Sequence, residues 1–348
     1  MSDIAALWLE LEKNSSTSFF LTWDWIGSWL KQLPMDFFLV KVLQSKRLVG
    51  LAVIVEKRRK TLGVFNTSQW WLNRSGCHAY DQCWIEENTA LAAIGYEHIV
   101  NRAICSFLLK QKQWQEFILG MAGKEVYQEY AGIADRKRIL IDDVGYSVTL
   151  ESDEWQYAAQ VLSRKTRQKI RQTEKILSSQ GELCFEVLTG RADKNEQYTN
   201  IQRLHKFRWQ GTVTPSGFEN MHFQAMIHNL IQNDKTEFSV LTLNQSPVAY
   251  LINFVHEGKV NFYLSALERF SDPKVKVGML VHQKSIEYYA NRGMSVYDFL
   301  AGEARYKASM SNVKYEQKMI VFYRESTLLR IERFMRVAKN KIRDILIR

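Results

Sequence analysis

Residues 297–307 have the sequence YDFLAGEARYK, and this stretch decides how the rest of the chain is interpreted. It begins within an apolar segment, 296–300, that is typical of a buried strand and carries one acidic residue, Asp298. Gly302 follows, and glycine permits backbone angles that other residues resist. Ionisable side chains come directly after this turn: Glu303, Arg305, Tyr306 and Lys307. Because open α/β sheets bind ligands at the ends of their strands, we predict a ligand site here.

The preceding residues complete a strand–helix–strand order. Residues 259–267 are predicted to form a strand, 268–277 a loop, and a helix is predicted to start at Gly278. Free backbone N–H groups and the dipole at a helix start favour phosphate, and glycine lets phosphate approach the backbone closely. Lys274 and Lys276 add positive charge to this loop. The other interpretation is an ordinary loop with two solvated lysines.

Length and composition bound the class of protein. At 348 residues the chain is longer than one hydrophobic core usually supports, so about two domains are expected. The formal net charge of +10 suits an anionic partner such as a nucleotide, coenzyme phosphates, nucleic acid or a membrane surface. The four cysteines are not clustered, so no metal site is expected. Neither a secretory signal nor a membrane-spanning apolar run is recognised, which predicts a cytoplasmic protein.

The two halves of the chain share an order of helices and meandering strands, but the ionisable cluster occurs only in the second half. We therefore predict a mixed α/β (α+β) fold with mainly antiparallel sheets flanked by helices. The predicted domains are residues 1–152 and 153–325, followed by a basic C-terminal helix at 326–348.

Four motifs in this order resemble the CelD-type branch of the GNAT acyltransferases, named for cellulose-biosynthesis acetyltransferase-like members. The first is Ser18-Phe19-Phe20 with three tryptophans after it, which is similar to a pFxxxxWxxxW opening. The second is a basic helix that starts at residues 163–165. The third, LHKFRW at 204–209, resembles LHxxRW, and the fourth, 297–307, resembles fDFxxGxxxYK. The likeness spans about residues 15–325, and Fem-type peptidoglycan aminoacyltransferases share the tandem layout.

The resemblance implies tandem GNAT-like domains, of which the first is degenerate. It also implies an N-acyltransferase that moves an acyl group from acyl-CoA, such as acetyl-CoA, to an amine of a sugar, sugar nucleotide or polysaccharide precursor. Pantetheine would lie along residues 262–266. The implied donor site comprises Tyr263, Leu264, Ala266, Lys274, Lys276, Val277, Gly278 and Met279.

One departure leaves the donor open. The common GNAT pyrophosphate loop follows a Q/RxxGxG/A pattern, whereas the loop here has the single glycine Gly278. The alternatives are a Fem-like enzyme that uses aminoacyl-tRNA, and a non-catalytic GNAT scaffold in polysaccharide assembly.

His205 and Arg208 are three residues apart, so they share one face of a predicted helix. Near neutral pH a histidine can accept the proton that an attacking amine loses. Arg208 can hold a carboxylate or phosphate with two hydrogen bonds. The alternative is a histidine that packs beside Trp209 and is hydrogen-bonded there.

Asp298 and Glu303 flank the Gly302 turn, where a carboxylate suits either a general base or an ion pair with Lys307 or Arg208. By the resemblance, Tyr306 would protonate the departing thiolate. The predicted catalytic residues are His205, Asp298, Glu303 and Tyr306. We expect them to line one cavity beside the helix start.

Two basic surfaces complete the predictions. The helix that follows Ser163 carries a continuous cationic face, which is either solvated or binds an anionic substrate such as a nucleotide-linked sugar or tRNA. The predicted substrate-binding residues are Arg208, Trp209, Lys307, Arg164 and Arg167. The C-terminal helix is expected to pack on the domain or to lie on an anionic membrane surface. The expected acceptor is a small molecule or glycan.

Overall fold

The computed structural model describes residues 1–61, 65–150 and 157–324, together with Ile331 and Met335. The predicted domain boundary at 152/153 and most of the predicted C-terminal helix lie outside these residues. The strands are β1 Phe37–Gln44, β2 Arg47–Thr61, β3 Phe65–Leu72, β4 Leu91–Ala92, β5 Glu116–Gly123, β6 Arg136–Thr149, β7 Leu183–Leu188, β8 Thr236–Leu243, β9 Ser246–His256, β10 Lys259–Leu267, β11 Val296–Ala301 and β12 Val313–Tyr323.

Helices flank these strands on both halves of the chain. They are α1 Ser2–Glu12, α2 Trp23–Leu30, α3 Glu97–Lys110, α4 Lys124–Glu129, α5 Tyr157–Gln160, α6 Arg164–Ser178, α7 Arg191–Trp209, α8 Met221–Leu230, α9 Val277–Asn291 and α10 Arg305–Met310. Short 3₁₀ helices lie at Phe19–Leu21, Tyr130–Ile133 and Gly217–Glu219. This mixed α/β architecture confirms the predicted fold class.

The described strands form one sheet in the order β1-β2-β3-β5-β12-β6-β11-β10-β9-β8-β7, with β4 beside β2. Its neighbours are antiparallel except at two places, where β3 pairs with β5 and β10 pairs with β11 in parallel. A parallel pair needs a long crossover connection. Helix α3 lies in the first crossover and α9 in the second. Each half therefore contains one parallel pair with a crossover helix.

The two halves join through their strands. Strand β12, from the end of the described chain, lies between β5 and β6, and β6 in turn pairs with β11. One continuous sheet thus runs through both halves, and the division into two domains stays a prediction.

Aromatic residues of the N-terminal motif pack into the core that the two halves share. Phe19, Phe20 and Trp25 are buried together with Phe254 of β9. The rings of Phe19 and Phe254 stack with centroids 4.3 Å apart. Burial of such large apolar side chains stabilises the contact between the halves.

Candidate functional site

Strands β10 and β11 pair over only three residues each, Lys259–Asn261 with Val296–Asp298. Both strands continue beyond this pairing, to Leu267 and Ala301. The register of β10 shifts between Phe262 and Leu264, and that of β11 between Asp298 and Ala301. Leu300 has a φ of 61°, which an L-residue adopts only under constraint. The parallel pair thus opens into a gap beyond Asn261 and Asp298.

A cavity of about 560 Å³, the cleft cavity, lies at this gap. Phe262–Leu264 of β10 and Phe299–Ala301 of β11 line it from the two sides of the gap. His205 and Trp209 reach it from α7, and Lys307 from α10. The N-terminal half contributes further walls, which include Trp84, Glu86, Met121, Ile141 and Asp143.

A second cavity of about 290 Å³, the helix-start cavity, lies at the beginning of α9. Lys276, Val277, Gly278 and Met279 line it, as do Ser265 and Leu267 of β10. No side chain caps the start of α9, so its first backbone N–H groups are available to a ligand. Arg208 and Tyr306 also line this cavity, which brings two predicted site residues to the predicted phosphate position.

Four rings border the two cavities: Phe262, His282, Phe299 and Tyr306. The His282 ring lies 4.4 Å from Phe262 and 5.6 Å from Tyr306, measured between centroids. Burial, assisted by Lys307, lowers the pKa of His282 to about 3, and its Nδ1 lies 2.9 Å from the Tyr297 hydroxyl. Burial raises the pKa of Tyr306 to about 12, so its hydroxyl keeps its proton at neutral pH. Tyr306 can therefore donate a proton in the helix-start cavity.

His205 is 8% exposed and lines the cleft cavity. Its Nδ1 lies 2.7 Å from the Ser216 hydroxyl, which leaves Nε2 as the other polar atom of the ring. Burial and the charge of Arg208 lower the pKa of His205 to about 4. The imidazole is therefore neutral at neutral pH and a weak base.

Asp298 is held in a closed set of contacts. One oxygen lies 2.8 Å from the Lys259 ammonium, and the other accepts hydrogen bonds from the Leu300 N–H and the Tyr315 hydroxyl, both at 2.7 Å. These bonds hold Leu300 in its strained conformation. Asp298 and the exposed Glu303 do not line the cleft cavity, so the structure does not bring them together with His205 there.

Glu86 is a candidate that the sequence reasoning missed. It is buried in the wall of the cleft cavity and accepts a hydrogen bond of 3.1 Å from the Ala301 N–H. Burial raises its pKa to about 8, against the opposing effect of the Ala301 bond. Lys307 lies at the same wall and donates to the carbonyl oxygens of Ala301, at 2.6 Å, and Leu300, at 3.3 Å. The available signal was the acidic pair Glu86-Glu87 after the apolar Trp84-Ile85, in a half considered to lack a catalytic cluster.

The parallel pair of the N-terminal half, β3 and β5, does not open into a cavity. Its β3–β5 pairing ends at Trp71 and Ile118. Beyond it, Asn88 donates a side-chain bond of 2.9 Å to Leu72 and a backbone bond of 2.7 Å to Met121. A Cβ at Gly120 would lie 2.6 Å from the Asn88 amide. The segment that contains Asn88 therefore fills the space beyond the paired residues of β3 and β5.

The remaining predicted residues lie elsewhere. Ala266 is fully buried in the core, and Lys274 is exposed. Arg164 is exposed on α6, whereas Arg167 donates to carbonyl oxygens around α5. Across the described ranges, no group of three or more metal-ligating side chains is found, and no helix there is long and apolar enough to cross a membrane.

A family model for the acetyltransferase (GNAT) domain matches residues 164–308. This range contains strands β10 and β11, helix α9 and the first residues of α10. The match supports an acyltransferase, the class of enzyme that the sequence predicted. The finer CelD-type assignment stays a prediction. No curated protein sequence matches the chain.

Solved structures share the fold at low identity. FemX is 7% identical with a TM-score of 0.57, over 92% of this chain and 95% of that one. The C-terminal domain of a protein assigned as a lysylphosphatidylglycerol synthetase from Agrobacterium fabrum is 9% identical with a TM-score of 0.55, over 92% and 91% of the chains. L-PGS from Bacillus licheniformis is 15% identical with a TM-score of 0.52, over 88% and 95%. At these identities the likeness shows the fold alone.

Proposed function

We propose that the chain is an N-acyltransferase that moves an acyl group from acyl-CoA to the amine of a sugar, sugar nucleotide or polysaccharide precursor. The observation that carries this proposal is the opened β10–β11 pair, with the cleft cavity at the gap and the helix-start cavity beside β10. GNAT domains generally use acyl-CoA. The matched range includes every residue that lines the helix-start cavity, and the residues of α7, β10 and β11 that line the cleft cavity.

The helix-start cavity suits the phosphates of the donor. The uncapped N–H groups of α9 and the side chain of Arg208 both lie at the helix-start cavity. Both groups favour anions. Pantetheine would then follow Ser265 and Leu267 of β10 toward the gap. The unpaired part of β10 leaves backbone groups that can bind the thioester oxygen as it gains negative charge.

The cleft cavity suits the acceptor. Its aromatic walls, which include Trp84 and Trp209, offer faces on which sugar rings stack, while Glu86 and Asp143 attract an amine. Nitrogen attack on the thioester carbon forms the amide and breaks the carbon–sulfur bond. Glu86 takes the amine proton, because its raised pKa suits a base at slightly alkaline pH better than that of His205. Tyr306 protonates the departing thiolate.

An activity screen tests this proposal. Purified protein is incubated with acetyl-CoA and a panel of amines, and free thiol is measured over time. We expect amino sugars to accelerate thiol release well above the rate without an acceptor, and the N-acetylated sugars to give no acceleration because they lack the free amine. Equal rates with both sets would contradict a sugar-amine acceptor.

A Fem-like transfer from aminoacyl-tRNA is the second candidate. It is favoured by the fold shared with FemX, by the net charge of +10 and by the exposed cationic residues of α6. The donor separates the two functions: the first requires acyl-CoA, and the second requires charged tRNA.

A further inference from the structure

Another large cavity, the polar cavity, has a volume of about 540 Å³ and is formed by both halves of the chain. Its walls come from residues 16–21, residues 87–92, the start of α3, the end of β5, helix α4, the end of β9 with the turn after it, and strands β10 and β12. Glu87 lines it, whereas the adjacent Glu86 lines the cleft cavity. The polar cavity is thus separate from the proposed reaction site.

Buried side chains with unpaired polar atoms are among the residues that line this cavity. Gln317 and Asn261 are each 1% exposed and both contribute to the wall. Both polar atoms of the Gln317 amide and the Asn261 Oδ1 have no hydrogen-bond partner within the described ranges, and neither does the Ser18 hydroxyl. Buried polar atoms are normally paired, because an unpaired one destabilises the fold. A ligand with several hydrogen-bonding groups would pair them.

The charge of the polar cavity is opposite to that of the helix-start cavity. Four carboxylates line it: Glu87, Glu97, Glu125 and Glu257. The cation Lys259 also lines it, but its ammonium is already held by Glu87 at 2.6 Å and Asp298 at 2.8 Å. His256 is the other ionisable nitrogen, and burial, together with Lys235, lowers its pKa. An anionic coenzyme is therefore disfavoured here, and a cation is favoured.

We propose that the polar cavity is a second binding site, for a small hydrophilic ammonium compound such as an amino sugar or a polyamine. The ammonium group pairs with the carboxylates of Glu97, Glu125 and Glu257, since Glu87 is already held by Lys259. Further hydroxyl or amine groups of the ligand pair with Gln317, Asn261 and Ser18. This inference goes beyond the proposed acyl transfer, since binding in the polar cavity requires neither the donor nor the cleft cavity.

Calorimetry on the full chain without acyl-CoA tests the site. The probes are glucosamine and spermidine, with glucose as the uncharged control. We expect one ammonium probe to bind at least about tenfold more tightly than glucose, which corresponds to about 1.4 kcal/mol. The probe that binds more tightly shows whether the site prefers an amino sugar or a polyamine.

Three variants locate the binding. Gln317→Leu replaces the unpaired amide with an apolar side chain of similar size. The fold is therefore expected to persist, while the affinity for the ammonium probe falls about tenfold. Glu125→Gln removes one exposed carboxylate and should weaken only the charged probes. Glu196→Gln removes an exposed carboxylate of α7 that lines none of the three cavities, so it is the matched control and should leave affinity unchanged.

Two results would overturn the site. One is that neither ammonium probe binds more tightly than glucose. The other is that Gln317→Leu and Glu125→Gln both keep the full affinity of the wild type, which would assign the binding to a place outside the polar cavity. Because the titrations contain no acyl donor, a failure of acyl transfer leaves this test unaffected.

Discussion

Glu86 is a carboxyl group buried between the two halves of the chain, with one backbone N–H bond and a pKa raised to about 8. Tyr306 keeps its proton at the same pH, and Lys307 is held by two carbonyl oxygens. These three side chains differ in how far sequence could identify them. Tyr306 and Lys307 stand in the 297–307 motif, so the sequence indicated them. Glu86 is 215 positions from the residue that it contacts, and no local pattern indicates that contact.

Glu86→Gln tests the burial of this carboxyl. Between pH 4.5 and 8 the folded chain keeps a proton that the unfolded chain has lost, so the free energy of unfolding falls as pH rises, by at most about 1.4 kcal/mol per pH unit. Glutamine cannot ionise and its oxygen can still accept from Ala301. We therefore expect the variant's melting temperature to exceed that of the wild type by a margin that grows from pH 5 to pH 8 and then levels off.

The exposed Glu125→Gln is the control and should show no such growth. If Glu86 is the base, Glu86→Gln also lowers kcat by roughly 10²–10⁴-fold. A margin in melting temperature that is independent of pH would show that this carboxyl is ionised in the folded chain near neutral pH.

The two crossover units, β3–α3–β5 and β10–α9–β11, have the same topology and different chemistry. The second is open beyond its paired residues and has lysine and glycine at the helix start. The first is filled by Asn88, and its helix begins at Glu97, an acidic residue that disfavours phosphate. The order of elements and the helix start near Gly278 could be read from sequence. The gap could not be predicted from sequence, because it depends on where the β10–β11 pairing stops and on the positive φ of Leu300. Nothing in the sequence indicates that a leucine would adopt such a φ.

This difference between the two units predicts one donor site per chain. Native mass spectrometry at saturating acetyl-CoA should show one bound coenzyme. We expect Asn88→Ala, which removes the side chain beside Gly120, to leave that number at one, because the acidic Glu97 remains at the helix start. Two bound coenzymes on the wild-type chain would mean that the N-terminal half also binds the donor.

Across the whole molecule, the cleft cavity depends on both halves. Strand β12 lies between β5 and β6, and β6 joins β11, so Asp143 of β6 lines the cleft from a continuous sheet. Trp84 and Glu86 line it from the segment between β3 and β4. Sequence periodicity predicted the class of fold, and the resemblance of the motifs to a known family implied a GNAT-like second half. Neither predicted that the first half forms a wall of the reaction site, since strand order between distant segments has no local signal.

Binding of acetyl-CoA to three forms of the chain, measured by calorimetry, tests the central claim most directly. A Cβ at Gly278 would lie 2.9 Å from the end of the Leu267 side chain, and a glutamate there would place a negative charge where phosphate is proposed to bind. Gly132 is exposed with nothing within 4 Å of an added Cβ, so Gly132→Glu adds the same charge at a neutral position. We predict that the wild type and Gly132→Glu bind one acetyl-CoA, and that Gly278→Glu melts at a similar temperature without binding. Unchanged affinity in Gly278→Glu, or a wild type that binds charged tRNA and no acetyl-CoA, would contradict the account.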